Sequence, residues 1–197
     1  GGSNGGWLQT SLDDKYLYHA VVGRPASGDD LGSPPYILKL DIQKLLASGA
    51  AYRDHATAKD VEAWKAEHGA GRGYRGTPSE EPGAAIRLHV PDEGETVVED
   101  LIRGPVSFPN TSYDDFVIAR ADGSVLYNFA VAVDDAEMGI TEVVRGDDHL
   151  SNTPKQLLVL EALDAQPPIY AHLPLLHGPD GKKLSKRHGA ASVQELR

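Results

Sequence analysis

The chain has 197 residues, 40% of them hydrophobic and 24% charged, and its 29 acidic and 19 basic side chains leave a formal net charge of -10. That length and composition can bury the core of one domain, or of one domain with a small insertion, and the acidic balance argues against broad nonspecific coating of DNA. With no apolar run near the ~20 residues of a membrane-spanning helix, no charged-then-apolar leader and no cysteine, the expectations are a cytoplasmic location, no membrane or DNA partner and no protein-bound zinc.

Residues 1–6 are Gly/Ser/Asn and read as a flexible leader or tag scar. Between Trp7 and Leu31 the alternation of Leu17, His19 and Val21 gives one possible strand, followed by a Gly/Pro/Ser/Asp loop. Leu38, Ile42, Leu45 and Leu46 share a helical face, which predicts a helix over 37–48 with Gly49 as its stop. Thr57 and Asp60 form a capping-box pattern ahead of Val61 and Trp64, so a second helix ends near His68. The glycines and prolines of 69–83 predict a surface loop.

The periodicity changes to two over 85–90, and further strands are expected at 95–98 and 105–108. Phe116–Arg120 and Val125–Phe129 flank Ala-Asp-Gly-Ser, which reads as a hairpin. A strand over 141–145 leads to an acidic turn and then a helix capped by Ser151 or Asn152, with Pro154 in its first turn. Leu157, Leu158, Val159, Leu160 and Leu163 make that helix a buried one. A strand at 173–177 closes a βαβ unit, whose ligand belongs at the carboxyl ends of its strands.

Residues 178–189 carry four cations, Lys182, Lys183, Lys186 and Arg187, around Ser185, opened by Pro-Asp-Gly and closed by Gly189. Ammonium groups on such a loop suit a polyphosphate whose charge moves to a departing pyrophosphate, with a solvated basic loop as the alternative. Lys-Leu-Ser-Lys-Arg at 183–187 resembles the second signature of class I aminoacyl-tRNA synthetases, in the form found in many bacterial glutamyl-tRNA synthetases. Leu-Tyr-Asn-Phe-Ala at 126–130, the run from Val133 to Pro154, and His-Leu-Pro-Leu-Leu at 172–176 precede it in order. Together these segments resemble the second half of a glutamyl-tRNA synthetase catalytic domain, continuously from about Ala84 to Arg197.

The resemblance implies an α/β chain with an incomplete Rossmann-like catalytic fold and an inserted α+β acceptor-stem-binding subdomain. Residues 7–49 would then be an atypical first part of the catalytic domain, 50–125 the insertion, and 126–197 the second catalytic half. It implies a glutamate-tRNA ligase that joins glutamate to the α-phosphate of ATP and passes it to tRNA. Mg2+ would accompany the ATP, no metal would be bound by the protein itself, and a monomer is expected. A noncatalytic ATP- or tRNA-binding remnant or paralogue is the alternative.

By the same resemblance Lys186 would contact the phosphates, with Lys183 and Ser185 supporting it as the catalytic loop. Arg145 and Tyr127 would bind glutamate, and Asp148, Leu175 and Leu176 would join Lys183 and Lys186 in holding ATP. Each has a plainer reading beside it: an internal salt bridge from Arg145 to Asp147 or Asp148, a half-buried core position for Tyr127, and a core strand for Leu175 and Leu176. Asp134 and Asp135, if on a strand, would point to opposite faces and serve structure, and His149 and His188 suit solvent or hydrogen-bonded roles. The substrate carboxylate is its own nucleophile, so no enzymic base is required. Trp7–Leu31 shows no counterpart of the family's first, His-Ile-Gly-His-like signature, and the family's anticodon-binding domain is not matched.

Overall fold

The computed structural model describes residues 41–69 and 71–175, together with the backbone of the elements at 12–13, 16–17 and 36–40. Two short strands, β1 (Leu12–Asp13) and β2 (Tyr16–Leu17), pair antiparallel. Helix α1 (Tyr36–Ser48) buries Ile42 and Leu45, two of the residues whose spacing predicts it. It ends at Gly49, whose φ of 78° needs no Cβ to be accommodated.

Strand β3 (Ala51–Asp54) pairs antiparallel with β4 (Ala85–Leu88), and β4 with β7 (Val117–Ala119). Helix α2 (Ala58–His68) lies between β3 and β4 in sequence and carries the expected capping box, with Asp60 accepting from the Thr57 N–H at 2.8 Å. The connection from 71 to 84 is not wholly a surface loop. Tyr74 is buried and its hydroxyl donates to Asp54 Oδ2 at 3.1 Å, because Arg87 lies over the ring and pairs with the same carboxylate at 2.6 Å. Gly73 permits this path: a Cβ there would fall 1.8 Å from the Tyr113 carbonyl oxygen.

The second half of a sheet hairpin expected at Val125–Phe129 is instead the start of helix α3 (Tyr127–Glu137). Only a single bridge, Ala119 to Val125, survives from the hairpin. Phe129, Ala132 and Val133 fall at helical spacing and are buried, so the period-3.6 burial overrides a short β-rich run. Asp134 and Asp135 therefore stand on a helix rather than a strand.

A four-stranded sheet takes the order β6-β5-β9-β8. Strands β5 (Glu95–Asp100) and β6 (Gly104–Pro109) form an antiparallel hairpin, whereas β9 (Ile169–Leu173) runs parallel to both β5 and β8 (Glu142–Gly146). A 3-10 turn at Asp147–Asn152 and helix α4 (Thr153–Ala162) join β8 to β9, completing the βαβ unit. Strand β9 lies earlier than 173–177, since Pro174 cannot donate to the ladder. Asn152 makes no side-chain cap, because the preceding 3-10 turn feeds directly into α4. One core joins Leu45 of α1, Leu88 and Ile118 of the antiparallel sheet, Phe129 of α3 and Val159 of α4. Among the described residues no helix is long and apolar enough to cross a membrane.

Candidate active site

The carboxyl ends of β8 and β9 put a cation where the βαβ topology places a ligand. Arg145 on β8 lies in register with His172 on β9, and Asp100 on the adjoining β5 lies in register with Tyr170. Arg145 is half-buried, and its hydrogen bonds fix most of its donors. Its Nε donates to His172 Nε2 at 3.1 Å, and its Nη2 donates to Thr153 Oγ1 and Gln156 Oε1, each at 2.8 Å. Thr153 and Gln156 come from the first turn of α4 and are fully buried there, so the helix start packs onto the strand end through the guanidinium.

Every one of those acceptors is neutral, and among the described residues Arg145 has no salt bridge and its Nη1 has no hydrogen-bond partner. Asp147 pairs with Arg103 instead. Burial pushes the Arg145 pKa below its ordinary value, opposed by Tyr127, Tyr170, Asp135 and Asp148 nearby; an arginine so placed still carries its charge at neutral pH. Burial likewise raises the Asp135 carboxyl, with Arg145 acting against it and Asp134 with it. The Tyr170 hydroxyl is buried without a partner among the described residues, and burial foremost pushes its pKa up to about 12. The Arg145 guanidinium lies 5.5 Å from the centre of the Tyr170 ring.

Beyond the strand end, Gly146 brings two further groups close. A Cβ at that position would fall 2.6 Å from Asp148 Oδ1 and 3.2 Å from Leu175 Cδ2, so Asp148 and Leu175 converge on the Gly146 backbone. Asp148 Oδ1 lies 3.6 Å from His149 Nε2, and His149 Nδ1 lies 3.1 Å from the Asn152 amide. The arrangement is a cationic donor beside carboxylate and hydroxyl groups at the carboxyl ends of the parallel strands β8 and β9, suited to an anion that also bears donors. Among the described residues no three histidine, aspartate or glutamate side chains are grouped to hold a metal.

Residues 36–197 match the family model of the class I tRNA synthetase (E and Q) catalytic domain. The chain belongs to this family. Its curated relatives include glutamate-tRNA ligase 1 of Acidithiobacillus ferrooxidans, 50% identical over 165 residues, a match covering 79% of this chain and 35% of the relative. Glutamate-tRNA ligase 2 of Rubrobacter xylanophilus is 46% identical over 194 residues, covering 86% of this chain and 39% of the relative. Among solved structures, a glutamate tRNA ligase from Elizabethkingia meningosepticum in complex with its amino acid aligns with a TM-score of 0.66 and 31% identity, over 78% of this chain and 35% of that one. This member of the synthetase family thus spans little more than a third of the length of the relatives it matches.

In this synthetase-family chain the fold brings Tyr127, Arg145, Asp148 and Leu175 into one neighbourhood, with Tyr127 opening α3 rather than standing in the strand expected over Val125–Phe129. Leu176, Lys183, Ser185, Lys186 and His188 lie outside the described residues. Sequence reasoning did not single out Asp100, Asp135, Thr153, Gln156, Tyr170 or His172 as parts of the neighbourhood. A signal for His172 was present: it precedes Leu-Pro-Leu-Leu on a strand that must neighbour β8 in any βαβ reading. Asp100 had no such signal, because its strand reaches β9 only through tertiary pairing.

Proposed function

We propose that the chain carries the amino acid site of a glutamate-tRNA ligase, with glutamate, ATP and tRNA as its substrates. The observation that carries the reading is Arg145, a half-buried guanidinium tied to neutral acceptors, with no partner at Nη1 among the described residues. A carboxylate side chain satisfies that charge, whereas the amide of glutamine does not. In the reaction proposed, an oxygen of the glutamate α-carboxylate bonds to the α-phosphorus of ATP as the bond to pyrophosphate breaks, and pyrophosphate leaves with the electron pair. Arg145 and Tyr127 orient the amino acid, and Asp148, Leu175 and Leu176 hold the nucleotide, which arrives as its Mg2+ complex. Lys186, with Lys183 and Ser185, follows the charge that develops on the phosphates. Residues 50–125 are proposed as the inserted subdomain that receives the tRNA acceptor stem, and the synthetase as a cytoplasmic monomer.

Glutamate-dependent exchange of pyrophosphate into ATP tests this. Exchange that falls by at least about a hundredfold in Lys186→Ala and Arg145→Ala supports the assignment. Exchange that proceeds equally without glutamate, or is unchanged by both substitutions, contradicts it. Saturable binding of a glutamyl-adenylate analogue without exchange identifies the binding-only alternative.

A further inference from the structure

We propose that Asp100 and His172 are a positioning pair which sets the Arg145 guanidinium by locking the His172 imidazole in the tautomer whose Nε2 accepts from it. The inference rests on the reading of Arg145 as the group that meets the substrate carboxylate. It adds two residues that touch no substrate.

The tautomer follows from donor counting. Arginine Nε carries a proton and has no acceptor capacity. It lies 3.1 Å from His172 Nε2, so that nitrogen must be bare. The ring proton therefore sits on Nδ1, which lies 2.6 Å from Asp100 Oδ2 and donates to it. Asp100 is suited to accept. Its Oδ1 takes the backbone N–H groups of Ile102 and Arg103, each at 2.9 Å, and its Oδ2 also takes the His172 N–H at 3.0 Å. Burial pushes its pKa up, but the hydrogen bonds from Arg103, His172 and Ile102 outweigh that and hold it at about 2. The carboxylate is thus ionised, and both side chains of the pair are sealed from solvent.

The geometry also accounts for the use of an imidazole in this position. A carboxylate placed directly on Arg145 Nε would hold the guanidinium equally well but would neutralise it, as Asp147 does for Arg103. The ring interposes a neutral acceptor, so the negative charge of Asp100 is one imidazole removed from Arg145. Orientation is fixed and the positive charge is retained for a ligand at Nη1. The three residues stand on three adjacent strands, β5, β9 and β8, so the line Asp100–His172–Arg145 runs across the sheet. It ties the β5–β6 hairpin turn, which Asp100 closes, to the amino acid site.

Three variants of the whole chain separate positioning from bulk structural support. Asp100→Asn presents an amide N–H toward Nδ1, favours the other tautomer, and sets Nε2–H against the arginine N–H. His172→Asn keeps a donor for Asp100 but removes the acceptor for Arg145; His172→Gln places an amide oxygen near the Nε2 position. Nitrogen NMR of the imidazole reads the tautomer directly, and calorimetric titration with L-glutamate and L-glutamine reads the guanidinium. The expected result is an Nδ1-protonated ring in the unsubstituted chain. L-glutamate affinity should fall about 10- to 100-fold in Asp100→Asn and His172→Asn, recover in large part in His172→Gln, and leave L-glutamine affinity nearly unchanged. An Nε2-protonated or doubly protonated ring overturns the pair whatever binds. Equal losses for both amino acids in all three variants, in step with lost thermal stability, would show a structural role and overturn it as well. If the unsubstituted chain with an Nδ1-protonated ring fails to bind L-glutamate, the substrate reading falls, and the purpose assigned to the pair falls with it.

Discussion

Asp100 ties acid stability to the same strand that supports the site. Its carboxylate is buried under four N–H donors from Ile102, Arg103 and His172, and its pKa in the fold is about 2 against an ordinary 3.8. A folded-state pKa below the unfolded one means that the ionised form stabilises the fold. The contribution is therefore fully present well above pH 3.8 and is lost as the pH falls toward 2. At about 1.4 kcal/mol per pH unit the whole gap is worth about 2 kcal/mol, of which linkage removes about 1 kcal/mol by pH 3. Asp100→Asn cannot titrate at this position. Urea unfolding of both proteins, followed by circular dichroism from pH 6 to pH 3, should show the advantage of the unsubstituted chain shrinking by about 1 kcal/mol. A constant or growing advantage on acidification would refute the reasoning.

Arg87→Met should destabilise by about 3–5 kcal/mol in urea unfolding, because Asp54 is left buried without its cation; Arg87→Met with Asp54→Leu should regain much of that loss. Phe129→Ala should cost about 3–5 kcal/mol in the same assay, since the ring is fully buried where α3 meets the common core. Gly146→Ala should weaken nucleotide binding by about tenfold or more in a calorimetric titration while leaving the circular dichroism spectrum intact, because its Cβ would displace Asp148 and Leu175.

The elements legible in the sequence were those whose signal is local. The capping box at Thr57–Asp60 and the face of α1 at Ile42 and Leu45 needed no tertiary information. The glycine stop after α1 was equally local. Tyr127–Glu137 misled because Val125, Tyr127 and Phe129 alternate over a short span like a strand. The longer pattern of Phe129, Ala132, Val133 and Ala136, which faces the core, decides the matter only over about two turns. Tyr74 looked exposed for a similar reason. Its glycine-rich surroundings read as loop, and the charges that draw it inward, Asp54 and Arg87, lie on strands separated from it in sequence.

For the site, motif and topology together indicated Arg145 and the strand end that carries it. What motif reasoning left open was whether the guanidinium was already neutralised by Asp147 or Asp148. The answer depended on Arg103 occupying Asp147 and on His172, Thr153 and Gln156 serving as neutral acceptors, and none of these partnerships has a sequence spacing of its own.

A crystal structure of the chain grown with L-glutamate tests the role of Arg145 most directly. The side-chain carboxylate should lie within hydrogen-bond distance, about 3 Å, of Arg145 Nη1, with the Nε bond to His172 intact. Glutamate bound elsewhere, with Arg145 turned to pair with Asp135 or Asp148, would contradict it.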